Sequence, residues 1–326
     1  MTPRETAEFL REHDNYLILT HIRPDGDTLG CGAALCRMLR NMGKTAAVLL
    51  NKATSEAYAI YMTGLWAAED YVPETVVSVD MASPDMFTDN AAPYKESVDL
   101  AIDHHIGGGS FAKNRCVYPE RAACGEILYE IAAELGQVTA EVALPLYVAI
   151  ATDTGCFSRS NTTGDTHFVA TELIRTGIDF ETANKRHFHT KSKRRIAMEG
   201  ELLSTLEYFD GDRGVFVTIP LSMIDRLKLD EDDLDSVSSI GAQIAGIDCS
   251  ITLREQPSGA WKASVRTSRR IDAAALCRRF GGGGHVEAAG CILEGVTLEE
   301  AKKQLSAAVT GSPCRSYSQS HTDADT

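Results

Sequence analysis

The 326-residue sequence predicts an α/β protein: a parallel sheet flanked by helices, followed by a smaller α+β domain. Three observations carry this. Through the first half, short apolar runs alternate with helical stretches, the pattern of a parallel sheet with helices on both faces. The runs NYLILTH, AAVLL, VVSVD and LAID are near-continuously apolar, as strands buried on both faces are. From about residue 211, GVFVTIP, CSITLRE and WKASVRT read as strands, and IDAAALCRRF and TLEEAKKQLSAAV as helices.

Taken in order, TPRETAEFLREH is a helix with Thr2 as its N-cap. NYLILTH is the first strand, and DTLGCGAALCRMLRNMG is a helix closed by Gly43. AAVLL, VVSVD and LAID are further strands, and RAACGEILYEIAAELG and TAEVALPLYVAIATDTG are helices. The stretch from Lys185 to Arg195 holds six lysines and arginines and no acid, and runs into the helical pattern AMEGELLSTLEYF. The expected division is a first domain over 1–185, a linker helix over 186–210 and a second domain over 211–310. The remaining 311–326 is small and polar, and is expected to be disordered.

Composition narrows the class. With 44% hydrophobic and 24% charged residues the chain is an ordinary globular protein, not a disordered, collagenous or coiled-coil one. No apolar run approaches the length of a membrane span. MTPRETAEFL has no signal-peptide core, so the cytoplasm is the expected compartment. The nine cysteines are odd in number and form no CxxC, which argues against a disulfide framework or zinc ribbon. A net charge of −14 argues against coating long nucleic acid, while leaving room for a small basic pocket.

Four segments carry chemistry. His21, Asp25 and Asp27 lie in HIRPDGDTLG, between the first strand and its helix, where parallel sheets bind ligands. A plain turn with a capping aspartate is the alternative reading of that segment. Asp80 ends the strand VVSVD, where it could also be a cap. Asp103, His104 and His105 end the strand LAID ahead of three glycines; the alternative is a surface loop. Asp153 ends an apolar helix, although a carboxylate is disfavoured at the negative end of a helix and costly to bury. A nearby cation would resolve both problems, as would simple access to water or a lysine. Together these carboxylates and imidazoles, with no thiolate required, suit Mn²⁺ or a related divalent ion. They are enough for two ions sharing a bridging carboxylate, an arrangement that supports phosphoryl displacement.

The four segments in this order, with GGGGHVEAAG at 281–290, resemble the DHH phosphoesterase superfamily, and its nanoRNase/pAp phosphatase branch in particular. The resemblance spans about residues 5 to 308. It implies an N-terminal DHH domain with a five-stranded parallel sheet, a helical linker, and a C-terminal α+β DHH-associated domain, with the active site in the cleft between them. It implies that His21 and Asp25 bind one metal, that Asp27, His104 and Asp153 bind the other, and that Asp80 bridges the two. His105 would face the substrate phosphate or orient the metal shell, and Asp103 would support a histidine. His104, His105 and Asp80 would then be the catalytic group. Two divalent ions are implied, Mn²⁺ first, with Mg²⁺ and Co²⁺ as alternatives.

In the second domain, Gly281 to Gly284 offer a backbone that a phosphate can approach closely, and His285 is expected to open a helix whose N-terminus favours an anion. Between Arg254 and Phe280 there are seven basic residues against two acids. Arg266, Gly282, Gly283, Gly284 and His285 are the expected substrate contacts. After Asp153 the branch often carries a Phe-Arg-aromatic-Ser-Asn-Thr run. Here Phe157-Ser158-Arg159-Ser160-Asn161-Thr162 displaces the arginine by one position, which on a strand would turn it to the other face. Cys156 reads as a packing residue, and His167, His187 and His189 as structural or surface residues.

The function implied is a metal-dependent phosphoesterase that hydrolyses nanoRNA and linear dinucleotides to mononucleotides, with 3′-phosphoadenosine 5′-phosphate (pAp) as a further substrate. Expected partners are short RNA, pAp and a second copy of the chain in a homodimer, with no membrane and no long duplex. A DHH inorganic pyrophosphatase is the alternative enzyme, and an inactive nucleotide-binding regulatory module the non-enzyme alternative.

Overall fold

Buried apolar runs become the central strands because a parallel sheet leaves neither face to water. In the computed structural model, which describes residues 1–105, 111–234, 237–268 and 271–310, the chain forms two compact units, Met1–Thr190 and from Lys191 onward. The first unit runs α1 (Pro3–Glu12), β1 (Tyr16–Leu19), α2 (Gly26–Asn41), β2 (Ala46–Val48), α3 (Glu56–Ala59), β3 (Thr75–Val79), β4 (Val98–Asp103), β5 (Ala112–Val117), α4 (Cys124–Leu135), α5 (Ala140–Asp153), α6 (Gly164–Arg175) and α7 (Phe180–Asn184). Its sheet is entirely parallel, in the order β2-β1-β3-β4-β5.

Alternate strand residues feed two cores. Tyr16, Ile18, Val77, Val79, Leu100 and Ile102 join the helices α1, α2, α4, α5 and α6. Leu17, Leu19, Val76 and Ala101 pack on Met81, Phe87 and Ala91. The second face is thus covered by short 3-10 segments at Pro84–Met86 and Asp89–Tyr94 rather than by α-helices. Helices α2 and α5 pack closely because α2 offers glycine at the contact: a Cβ on Gly30 would stand 2.4 Å from the Pro145 carbonyl oxygen. As expected, Thr2 caps α1, in a capping box with Glu5.

The second unit holds α8 (Lys193–Ser204), β6 (Glu207–Phe209), β7 (Gly214–Ile219), α9 (Leu221–Leu227), α10 (Glu231–Leu234), β8 (Cys249–Glu255), β9 (Trp261–Thr267), α11 (Ala273–Arg278), β10 (Gly283–Gly284), β11 (Ala288–Leu293) and α12 (Leu298–Thr310). These strands form a mixed sheet in the order β10-β11-β9-β8-β7-β6, parallel only between β7 and β8. The segment 186–210 is not one helix. Lys185–His189 is a π-helical turn in the first unit, α8 packs Met198 and Leu202 into the second unit's core, and β6 follows. The tail 311–326 lies outside the described residues. Among the described residues no helix is long and apolar enough to cross a membrane.

Candidate metal centre

The strand order places the site. β1, β3 and β4 are neighbours, so their C-terminal ends deliver His21, Asp80 and His104 side by side. The order in which strands are added reverses between β1 and β3, the crevice where open α/β sheets bind ligands. Helix α2 adds Asp25 from its N-cap and Asp27 from its first turn, and α5 adds Asp153 from its last residue.

Six of the side chains expected as ligands come together as two groups. His21 Nε2 lies 3.6 Å from Asp25 Oδ1 and 3.5 Å from Asp80 Oδ2. His104 Nε2 lies 3.6 Å from Asp27 Oδ2, 3.5 Å from Asp80 Oδ1 and 3.7 Å from Asp153 Oδ2. Asp80 therefore turns one oxygen to each group. These separations are too long for good hydrogen bonds. They are close to the roughly 3.0–3.4 Å between donor atoms that share one ion at about 2.1 Å. Asp80 Oδ1 is also buried with no hydrogen-bond partner. The three groups Asp80–His104–His105, His21–Asp25–Asp80 and Asp27–His104–Asp153 each bring their ligand atoms within 4.8 Å of one another. The residues fit divalent cations.

Neighbouring groups orient each ligand. Asp25 is the N-cap of α2, accepting from the N–H groups of Asp27 and Thr28, so the cap reading and the ligand reading of HIRPDGDTLG meet in one side chain. Asp27 accepts from Cys124 N at 2.7 Å, Gly125 N at 3.0 Å and the Cys31 thiol at 3.2 Å. Helix α4 has no side-chain cap of its own, so Asp27 caps it from α2. His104 holds its Nδ1 on the Arg121 carbonyl oxygen at 3.1 Å, which points Nε2 into the group. Asn51 donates to the His21 carbonyl oxygen at 2.8 Å. Asp80 has left-handed backbone, φ 54°, an unfavourable conformation for a residue with a Cβ. Cys31, Asn51 and the start of α4 were not legible as site residues. The one available signal was the absence of Ser, Thr, Asp or Asn ahead of CGEIL, which marks a helix capped from elsewhere.

The electrostatics match an unfilled demand for positive charge. Burial alone would lower the histidines, but Asp25 and Asp80 raise His21 to about 10, and Asp80, Asp27 and Asp153 raise His104 to about 10. Burial would raise Asp80, yet His104 and His21 hold it below the usual carboxylate range. Burial and then the charge of Asp80 push Asp27 well up, and burial together with the nearby carboxylates raises Asp153 despite His104. His105, 41% exposed at its side chain, gives Nδ1 to Asp103 Oδ1 at 2.8 Å, which raises its pKa. Asp103 thus orients the His105 ring.

Comparison with known proteins settles the family. Residues 15–152 match the DHH family N-terminal domain, and 215–311 match the DHHA1 domain. The chain is 32% identical to the bifunctional oligoribonuclease and PAP phosphatase NrnA of Thermus thermophilus, over 94% of this chain and 93% of that one. The chain belongs to the DHH family of phosphoesterases. It is 23% identical to a probable NrnA of Streptococcus mutans, over 86% of this chain and 90% of the relative. Its fold is that of an exopolyphosphatase-related protein from Bacteroides fragilis, with a TM-score of 0.84 and 22% identity, covering 94% of this chain and 95% of that one.

The DHHA1 unit corrects one expectation. His285 does not open a helix: Gly283–Gly284 pair antiparallel with β11, and His285 N donates to Ala288 O at 2.8 Å in the hairpin turn. Any phosphate held there meets a hairpin, not a helix N-terminus. Glycine at 282 has a backbone reason, since a Cβ would stand 2.1 Å from the Gly290 carbonyl oxygen. Arg266 lies on β9 opposite Ala288, so the hairpin brings Arg266 and the backbone of His285 to one end of the sheet. The basic excess is partly spent, with Arg254 paired to Glu231 at 2.6 Å and Arg279 donating to the Ala308 carbonyl. Arg159 lies in a turn, not a strand, so the argument from strand faces does not apply to it. Among the other histidines, His187 is stacked on Tyr58 at 4.8 Å and pushed down to about 4 by burial, and His167 is stacked on Phe157 at 5.4 Å.

Proposed function

We propose that this chain is a Mn²⁺-dependent hydrolase of very short oligoribonucleotides and linear dinucleotides, and of pAp, acting through two ions. The observation that carries the reading is Asp80, whose two oxygens face two separate ligand groups. His21 and Asp25 would hold one ion, Asp27, His104 and Asp153 the other, with Asp80 between them. Bound there, the ions would supply the Lewis acidity that makes water nucleophilic at neutral pH and neutralises phosphoryl oxygens. Mixed imidazole and carboxylate ligands favour Mn²⁺ over Ca²⁺, which prefers larger all-oxygen shells.

The remaining work falls to the chain's own groups. Asp103 accepts from His105 Nδ1 and so leaves Nε2 to face the substrate, where the protonated ring would donate to a phosphate or leaving-group oxygen. Asp27 is held by two backbone N–H groups and a thiol, so its free lone pairs keep one direction. Arg266, Gly282, Gly283, Gly284 and His285 would bind the far end of the nucleotide. The names of the relatives from Thermus thermophilus and Streptococcus mutans support both substrates. The test is hydrolysis of a 5′-labelled RNA dinucleotide, pAp and pyrophosphate, with and without Mn²⁺. The dinucleotide and pAp should be hydrolysed only with metal. Faster turnover of pyrophosphate than of either would overturn the reading.

A further inference from the structure

Three consecutive residues after Asp153 have left-handed backbone: Gly155, Cys156 and Phe157, with φ of 58°, 55° and 63°. For Cys156 and Phe157 this conformation is unfavourable and persists only when the surroundings hold it. Its effect is to bring residue 159 back over the end of α5. Ser158 N and Arg159 N both donate to Thr154 O at 3.0 Å. Arg159 Nη1 then donates to the main-chain carbonyl of Asp153 at 2.9 Å. Asn161 Nδ2 approaches the same carbonyl at 3.4 Å and donates to Ala122 O at 3.0 Å. The arginine packs across Gly155, where a Cβ would stand 3.0 Å from its Nε and 3.2 Å from its Cγ.

The Asp153 carbonyl is one of the acceptors that a helix leaves without an internal partner at its last turn. That end carries partial negative charge, which disfavours a carboxylate and favours an arginine. Of the four carboxylates in the two groups, Asp153 is the one on such an end; Asp25 and Asp27 sit at the opposite end of α2. We propose that Arg159 is a positioning residue for Asp153. Bonded to the Asp153 carbonyl and packed over Gly155, it fixes the end of α5 and offsets the negative field there. The carboxylate is then kept beside His104 and Asp27 for a cation. The arginine displaced by one position serves the metal centre and not the substrate. The proposal rests on the two-ion reading above.

The test uses the full-length chain, stripped by chelator and titrated calorimetrically with Mn²⁺, as wild type, Arg159→Ala and Arg159→Lys. Kinetics on a dinucleotide at saturating Mn²⁺ accompany the titrations. Arg159→Ala should weaken one of the two ions by about 10-fold, the low end for groups that support a ligand, because the side chain is exposed. The other ion, and KM at saturating Mn²⁺, should be unchanged. Arg159→Lys should recover most of the loss, because the contact is one bond and a charge rather than a two-pronged fork. Unchanged Mn²⁺ affinity in Arg159→Ala, or a higher KM at saturating Mn²⁺ that lysine does not rescue, overturns the proposal. A wild-type chain that binds no Mn²⁺ overturns the two-ion reading itself, a failure visible before any variant is compared.

Discussion

Replacing Asp80 with asparagine keeps the shape of the side chain and removes the one charge that both ligand groups share. Its two oxygens face His21 Nε2 and His104 Nε2, each at 3.5 Å, so both ions lose a ligand charge at once. A charge-assisted contact is worth roughly 1.5–3 kcal/mol, taken here as a lower bound for a metal–carboxylate contact. Each ion should then bind at least about 10- to 150-fold more weakly, and turnover at limiting Mn²⁺ should fall by about 10² or more. The assay is a Mn²⁺ titration followed by calorimetry, with dinucleotide hydrolysis measured across the same concentrations. Asp25→Asn and Asp153→Asn are the controls, because each touches one group only. Weakening of one ion alone in Asp80→Asn, or wild-type turnover at limiting Mn²⁺, would refute the bridging role.

The metal-free chain should lose stability as pH rises. His21 and His104 are raised to about 10, so their contribution is full below their unfolded value of about 6.5 and is lost as pH climbs through 10. The Tm of chelated protein should therefore fall from pH 6.5 to 10 while Mn²⁺-loaded protein gains on it, and the raised Asp27 and Asp153 add a loss in the same direction that begins at the ordinary carboxylate value. Equal Tm trends with and without Mn²⁺ would contradict this. Asp103→Asn removes the main cause of the raised His105 value, so the His105 titration followed by NMR should move to lower pH, and the alkaline limb of the rate profile with it. Arg266→Ala and His285→Ala should each lower kcat/KM on a dinucleotide by about 10- to 150-fold. A small activated ester should suffer much less and both metals should stay bound; equal losses on the two substrates, or loss of metal, would rule out a substrate clamp.

What was legible in the sequence follows from which signals are local. β1, β3 and β4 are short, mostly apolar runs, and the residues at their ends are the ones the structure gathers. β5, AKNRCV, was invisible because it is an edge strand with polar residues on both faces. The hairpin of β10 and β11 was invisible because glycines carry no periodicity, and the same glycines suggested a phosphate loop and a helix start at His285. The supports of the site were unreadable for a different reason: Asp27 meets α4 across 97 positions of sequence.

That contact explains how four carboxylates can be gathered in one place. Carboxylates are stabilised at helix N-termini by free N–H groups and by the partial positive charge there. Asp25 caps α2, and Asp27 sits in the first turn of α2 while capping α4. The cap and ligand readings of HIRPDGDTLG were therefore not alternatives: the cap is what aims a ligand before metal arrives. Asp80 is balanced instead by His21 and His104. Asp153 alone faces the wrong end of a helix, and there the chain spends two unfavourable backbone conformations to return an arginine to the same carbonyl. Each carboxylate in the centre thus has its own local partner, yet Asp27 and Asp153 remain raised, so positive charge is still in demand between the two groups.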